Sequence, residues 1–373
     1  MTINECIVRE VQFSDYAAVS DVVTRSGLAT EWPMDCWVGL WQENPAMPQN
    51  QPMPIGWVLE QAGKIGGYLG NIPMHYQFQG KRLLAAAAHK FAVNVEYRSQ
   101  TLRLVAAFFA QKNVDLFLNT SANAPSASVF QMCKSEKIPQ PDYDKSLYWV
   151  VNTRGLVESV LRNRGYGSVF AAAGGAALTP ALKIEGLLRR RGPLAGSATL
   201  ETTVLEPHGI SDEFDEFWQR TLTERQQCLL ADRSLRALRW HFGNLGAGAW
   251  QAKFVCARRS SKLVGYAVLI GEDSRGSGLR RSHIADLIAE NDDPLVIDTL
   301  LNAAFRQAHA EGRHILELIG FPTRIRERLA AGHAYTRQLQ SWMFWYKAAP
   351  SLRDRCKEEN AWYGSLYDGD ASL

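Results

Sequence analysis

The chain writes nearly the same pattern twice, half a chain apart. Lys64-Ile-Gly-Gly-Tyr-Leu-Gly70 is echoed by Lys262-Leu-Val-Gly-Tyr-Ala-Val268. After each Gly-Tyr comes another strand-like run with a histidine near its start, His89 to Glu96 and His283 to Glu290. Each run leads into a long helical pattern. A period near half the chain means two copies of one domain, because a solenoid repeats every few tens of residues. The 373 residues suffice for two or three domains.

Local patterns support the duplication. In the first half, strands are predicted over Ile7 to Val11, Trp57 to Gln61, Lys64 to Gln77, Arg82 to Glu96 and Val114 to Asn119, with a closing strand over Ser146 to Val151. Helices are predicted over Asp15 to Thr24, Asp35 to Gln42, Arg98 to Gln111 and Ala124 to Lys134. The Pro-, Gln- and Met-rich run from Ala46 to Pro54 is a loop. The second half repeats the order, from a strand at Thr199 to Leu205 to a last strand at Arg337 to Tyr346. Runs of antiparallel strands broken by helices make an α+β chain. The expected boundaries are 1–152, a helical connector 153–198, 199–350 and a tail 351–373.

The charged fraction is 21% and net charge only +3, which argues against a nucleic-acid partner. Cys6, Cys36, Cys133, Cys228, Cys256 and Cys356 are scattered without a CxxC or CxxH spacing, so no metal site is expected. The N-terminus lacks the basic start and apolar run of a signal peptide. Reduced thiols and a cytoplasmic location are therefore expected. No apolar run is long enough for a transmembrane segment. Within the connector, Leu187-Leu188-Arg189-Arg190-Arg191 reads either as a solvated basic end or as a face for a membrane surface or an acidic carrier protein.

The stretch Phe91-Ala-Val-Asn-Val-Glu-Tyr-Arg98-Ser-Gln-Thr-Leu-Arg103 resembles the acyl-CoA-binding segment of the GNAT acyltransferase superfamily, an apolar strand turning into a helix. The resemblance implies two tandem GNAT-like domains, each a mixed, mainly antiparallel twisted sheet flanked by helices. It also implies acetyl-CoA or another acyl-CoA as co-substrate. A pyrophosphate needs free N–H groups and positive potential, and a helix N-terminus supplies both. The expected donor-site residues are Val93, Val95, Arg98, Ser99, Thr101 and Arg103. The family's turn glycines are here Ser99, Thr101 and Arg103, and its proline is Val95. The second copy reads Asn291-Asp292-Asp293-Pro294 at this place. Two carboxylates there would repel a pyrophosphate, so the donor is expected in the first half alone.

Acyl transfer to an amine needs a base and donors for the developing oxyanion. By resemblance, the base is His89, four residues before Val93 on the same strand face. A hydrogen-bonded structural histidine is the alternative. His283 is expected at the matching place in the second copy. Asn123 fits the family's pantetheine-contacting Asn, but its general-acid Tyr is Phe130 here. Ser126 and Ser128 are substitutes for that acid, or helix caps together with Asn123. The tail Trp362-Tyr-Gly-Ser-Leu-Tyr-Asp-Gly-Asp370 resembles the ending of two-domain GNAT proteins of bacterial surface-polysaccharide assembly, which favours an ordered tail. The expected function is acyl transfer from acyl-CoA or an acyl-carrier protein to an amine of a small metabolite, amino acid or sugar. A catalytically degenerate GNAT-like scaffold is the alternative.

Overall fold

The computed structural model describes residues 5–28, 33–50, 52–188, 192–193, 196–243, 251–274 and 276–373, with backbone only over 181–188. The basic run Arg189 to Arg191 lies outside the described residues. In chain order the first half holds β1 (Ile7–Glu10), α1 (Tyr16–Arg25), α2 (Met34–Gln42), β2 (Gly56–Gln61), β3 (Lys64–Phe78), β4 (Lys81–Val93), α3 (Thr101–Phe109), β5 (Leu116–Ala122), α4 (Ala124–Met132), β6 (Glu136–Lys137) and β7 (Lys145–Val150). The connector forms α5 (Thr153–Asn163) and α6 (Ser168–Leu188). The second half holds β8 (Glu201–Leu205), α7 (Glu213–Glu224), β9 (Leu230–Ala231), α8 (Leu235–Gly243), β10 (Lys253–Arg259), β11 (Lys262–Asp273), β12 (Arg280–Ala289), α9 (Pro294–Ala310), β13 (Ile315–Leu318), α10 (Thr323–Ala330), β14 (Tyr335–Gln338) and β15 (Met343–Ala348).

These strands make two sheets with one plan. The first runs β1-β2-β3-β4-β5-β15-β6, with β9 added beside β3. The second runs β8-β10-β11-β12-β13-β7-β14. All pairings are antiparallel except β4 with β5 and β12 with β13. The expected closing strand at Ser146 to Val151 forms, but in the other half's sheet. β7 lies between β13 and β14, and β15 lies between β5 and β6. Each half thus lends its last strand to its neighbour. One continuous apolar core crosses the boundary, from Val22 and Trp41 to Phe254 and Leu300.

The repeated Gly-Tyr has a packing reason. A Cβ on Gly67 would stand 2.8 Å from Leu59 and 3.3 Å from Leu104 of α3. A Cβ on Gly265 would stand 2.7 Å from Val296 of α9. Each half's central helix lies so close to the sheet that only hydrogen fits there.

Candidate functional site

β4 and β5 pair only over Ala85–Ala87 and Leu116–Leu118. Beyond that point β5 stays paired with β15 on its other edge, while β4 stays with β3 through a register shift between Tyr68 and Gly70. Lys90 carries a φ of 49°, in the left-handed region, and so marks a bulge in β4. The two strands part, leaving an opening between His89–Val93 on one side and Asn119–Ala122 on the other.

The C-terminal tail reaches this opening. Asp370 Oδ2 lies 3.4 Å from His89 Nδ1. Ser121 Oγ donates to Asp370 Oδ1 at 2.9 Å, and Thr120 Oγ1 donates at 3.4 Å. Gly369, at φ 71°, lies against Thr120, where a Cβ would come within 2.4 Å. His89 is 2% exposed. Behind it stands Trp41, ring centroid 6.5 Å away, whose indole donates to Asn71 O at 2.6 Å.

Electrostatics set the protonation states. Burial pushes the His89 imidazole below its ordinary value, Asp370 offsets this in part, and Lys90 reinforces it. Burial alone would raise Asp370, but His89, Lys90 and Ser121 hold its carboxyl below the usual range. Burial lowers the Lys90 ammonium, opposed by Asp370. The group at neutral pH is therefore a carboxylate beside a neutral imidazole. The ionised carboxylate faces Nδ1 of the ring, where it favours a proton.

The second half has the same opening, and it is filled. β12 and β13 part after Ile284 and Leu318. The tail runs between them: Ser365 bridges Gly320, Phe321 N donates to Gly364 O at 2.7 Å, and Tyr367 N donates to Ala285 O at 3.0 Å. Register corrects the expectation for His283. Gly70 faces His89, and its repeat counterpart Val268 faces Asp286, whereas His283 faces Ile270. His283 Nε2 instead lies 2.8 Å from Glu272. Asp286 is fully buried, holds Arg233 through two bonds of 2.8 and 3.0 Å, and accepts from Ser365 Oγ at 3.2 Å.

No family model and no curated protein sequence matches the chain. Solved structures do. A GCN5-related N-acetyltransferase from Anabaena variabilis superposes with a TM-score of 0.58 at 11% identity, over 92% of this chain and 73% of that one. A Saccharomyces cerevisiae N-myristoyltransferase with bound myristoyl-CoA gives 0.56 at 11% identity, over 92% and 80%. A putative acetyltransferase from Pyrococcus horikoshii gives 0.53 at 13%, over 99% and 97%. The chain has the GNAT fold, twice in tandem.

Within this tandem GNAT fold the expected donor residues sit together at one turn. Val93 ends β4 opposite Gly67. The helix expected from Arg98 begins instead as a tighter 3-10 turn over Val95–Gln100, and α3 proper starts at Thr101. Tyr97 causes the change: its ring lies on Gly66, and its N–H donates to Asn94 O at 3.0 Å. Val95 and Glu96 head the turn, where N–H groups have no acceptor within the helix. Val95, Arg98, Ser99 and Arg103 are exposed. Thr101 Oγ1 donates to Arg98 O at 2.7 Å, and Arg103 donates to Cys6 O at 2.6 Å. Asn123 and Ser126 cap α4 reciprocally, each side chain taking the other's N–H at 3.1 Å. Ser128 donates to Ala124 O at 3.0 Å. Phe130 is buried against Phe91, Phe108 and Phe109.

At the second turn the acidic run is structural. Asp292 pairs with Arg225 at 2.6 Å and with Arg324, Glu290 pairs with Arg220 at 2.9 Å, and Asp293 caps α9 through Leu295 N at 2.9 Å. Sequence reasoning missed Asp370, Lys90 and the Arg233–Asp286 pair. The aromatic density of Trp362, Tyr363 and Tyr367 was the signal that the tail is buried. Nothing local to Asp370 ties it to a histidine 281 positions earlier in the chain.

Proposed function

We propose that this chain is an N-acyltransferase with a single donor site in its first half. It moves an acyl group from acyl-CoA to an amine of a small metabolite, amino acid or sugar. One observation carries the reading: the opening between β4 and β5 holds a buried His89–Asp370 pair, while the matching opening of the second half is occupied by the tail. The structural likeness to an N-acetyltransferase and to an N-myristoyltransferase supports it.

In this reading the amine nitrogen bonds to the thioester carbonyl carbon, and its proton passes to the imidazole of His89. Asp370 stabilises the imidazolium. Collapse of the tetrahedral adduct breaks the C–S bond, and the imidazolium returns its proton to the departing sulfur. Phe130 supplies no proton, so His89 serves in both directions. The N–H groups of Val95 and Glu96 and the side chains of Arg98, Ser99, Thr101 and Arg103 hold the donor's phosphates. Asn123 and Ser126 fix the start of α4 at the same opening. An acyl-carrier protein is the alternative donor.

Titration of acetyl-CoA and longer acyl-CoAs into the full chain tests the donor, and no binding of any of them refutes it. With thiol release followed over a panel of amines, His89→Ala lowers turnover by about 10²–10⁴-fold and leaves donor affinity unchanged. Unchanged turnover removes His89 as base. The buried Phe130 cluster favours a second reading, a GNAT-like scaffold that binds without turning over.

A further inference from the structure

At the far end of β4 from His89 lies a separate cavity of about 660 Å³. Leu84 lines it, and five residues of strand put it roughly 16 Å from His89 along β4. One wall is the loop after α2, where Pro45, Pro48 and Pro52 restrict the backbone. Asn44 braces that loop by donating to Pro73 O at 3.0 Å and accepting from Ala46 N at 2.8 Å. The lining also includes Arg82 of β4 and Arg236 of α8, one from each half. Most arginines of this protein sit beside a carboxylate. Among the described residues, neither Arg82 nor Arg236 has a carboxylate partner within 4.0 Å. The one acid in the lining, Asp115, accepts from Leu84 N at 2.8 Å.

His75 adds a directed donor. Arg82 Nη2 lies 2.5 Å from His75 Nδ1. A guanidinium only donates, so Nδ1 accepts and the ring proton is on Nε2. Burial, helped by Arg82 and opposed by Asp232, pushes this imidazole down to about 4, so it stays neutral. Gln42 and Gln49 supply amides around the rim. Two guanidiniums against one carboxylate, with a neutral N–H donor and amides, suit an oxyanion on a hydroxylated skeleton.

We propose that this cavity is a second ligand site, which binds a small hydroxylated metabolite bearing a phosphate or carboxylate and clamps it between Arg82 and Arg236. The ligand bridges the two halves. It is too far from His89 for its anchored end to be the reacting group.

The test is calorimetric titration of the full chain with glucose 6-phosphate, glucuronate and uncharged glucose. At least one charged sugar binds, and glucose binds about 10-fold more weakly or not at all. Arg82→Gln and Arg236→Gln each weaken the charged sugar by about 10-fold or more. Both side chains are exposed, so unchanged thermal melts verify folding, and Arg164→Gln just past α5 serves as a neutral control. The stronger of the two charged sugars identifies the oxyanion. No binding of either charged sugar, equal binding of glucose, or full affinity in both arginine variants overturns the proposal. None of these outcomes depends on acyl transfer.

Discussion

Acid should weaken this fold, and the share carried by one histidine can be isolated. His241 on α8 is 1% exposed, with Nε2 2.8 Å from Ser372 Oγ. Its ring lies 4.5 Å from that of Tyr367 and 4.6 Å from that of Phe242. Burial, aided by the Arg233 charge, pushes its pKa down from 6.5 to about 3. Between those values the unfolded chain binds a proton that the folded chain refuses. Stability is therefore lost as pH falls through 6.5 and keeps falling towards 3. At pH 5 the penalty is RT ln(1 + 10^1.5), about 2 kcal/mol, against about 0.2 kcal/mol at pH 7. His241→Gln keeps an amide within reach of Ser372 and removes the titration. Because one core spans both halves, urea unfolding followed by tryptophan fluorescence is expected to report a single transition. The stability lost between pH 7 and pH 5 should be about 2 kcal/mol smaller in the variant. His75, His89 and His314 are lowered in the same direction, and they cancel in this difference. Equal losses in both proteins would refute the reasoning.

Asp286→Ala strands a guanidinium that is 1% exposed and should cost about 3–5 kcal/mol in urea unfolding; a loss under 1 kcal/mol would mean Arg233 finds another partner. Gly265→Val places a Cβ 2.7 Å from Val296 and 2.9 Å from Ile288 O, and should cost about 1–3 kcal/mol. Gly209→Ala, whose nearest neighbour is 3.8 Å away, should shift stability by no more than about 0.5 kcal/mol. Asp370→Asn removes the charge that raises His89. Turnover should fall about 10–100-fold, and the acid limb of the pH–rate profile should move to lower pH; an unmoved limb would separate Asp370 from the base.

The duplicated pattern was legible because it is written in backbone necessity. Gly67 and Gly265 are both forced by a helix pressed onto a sheet, so the repeat survives where side chains have diverged. The strand exchange was not legible. Lys145–Val150 and Met343–Ala348 are short, apolar and aromatic, and either sheet satisfies them equally well. Their partners are decided by chain geometry around the connector, which no local window contains. The donor turn was found by residue type, yet its 3-10 form depends on Tyr97 meeting Gly66 across the sheet. Asn123 and Ser126 show the opposite case. The sequence offered both capping and contact with the donor, and their hydrogen bonds go to capping. His283 was misplaced because the count ran along the sequence. The bulges differ, at Tyr68/Gly70 in one sheet and Val268/Leu269 in the other, and only register reveals that Asp286 stands where His89 does.

That equivalence explains why two copies of one fold carry different chemistry. The same opening arises in both sheets wherever the parallel pairing ends. In the second, the residue facing the opening is an aspartate whose charge is spent on Arg233, and the tail backbone supplies the hydrogen bonds that an incoming chain would make. In the first, the residue is a histidine beside the Asp370 carboxylate. The tail, having closed the second opening at Ser365–Tyr367, goes on to bring Asp370 beside His89. Closing one opening and equipping the other are thus done by one segment a few residues long. Loss of the tail's grip on Asp286 should therefore disturb His89 as well, through Asp370.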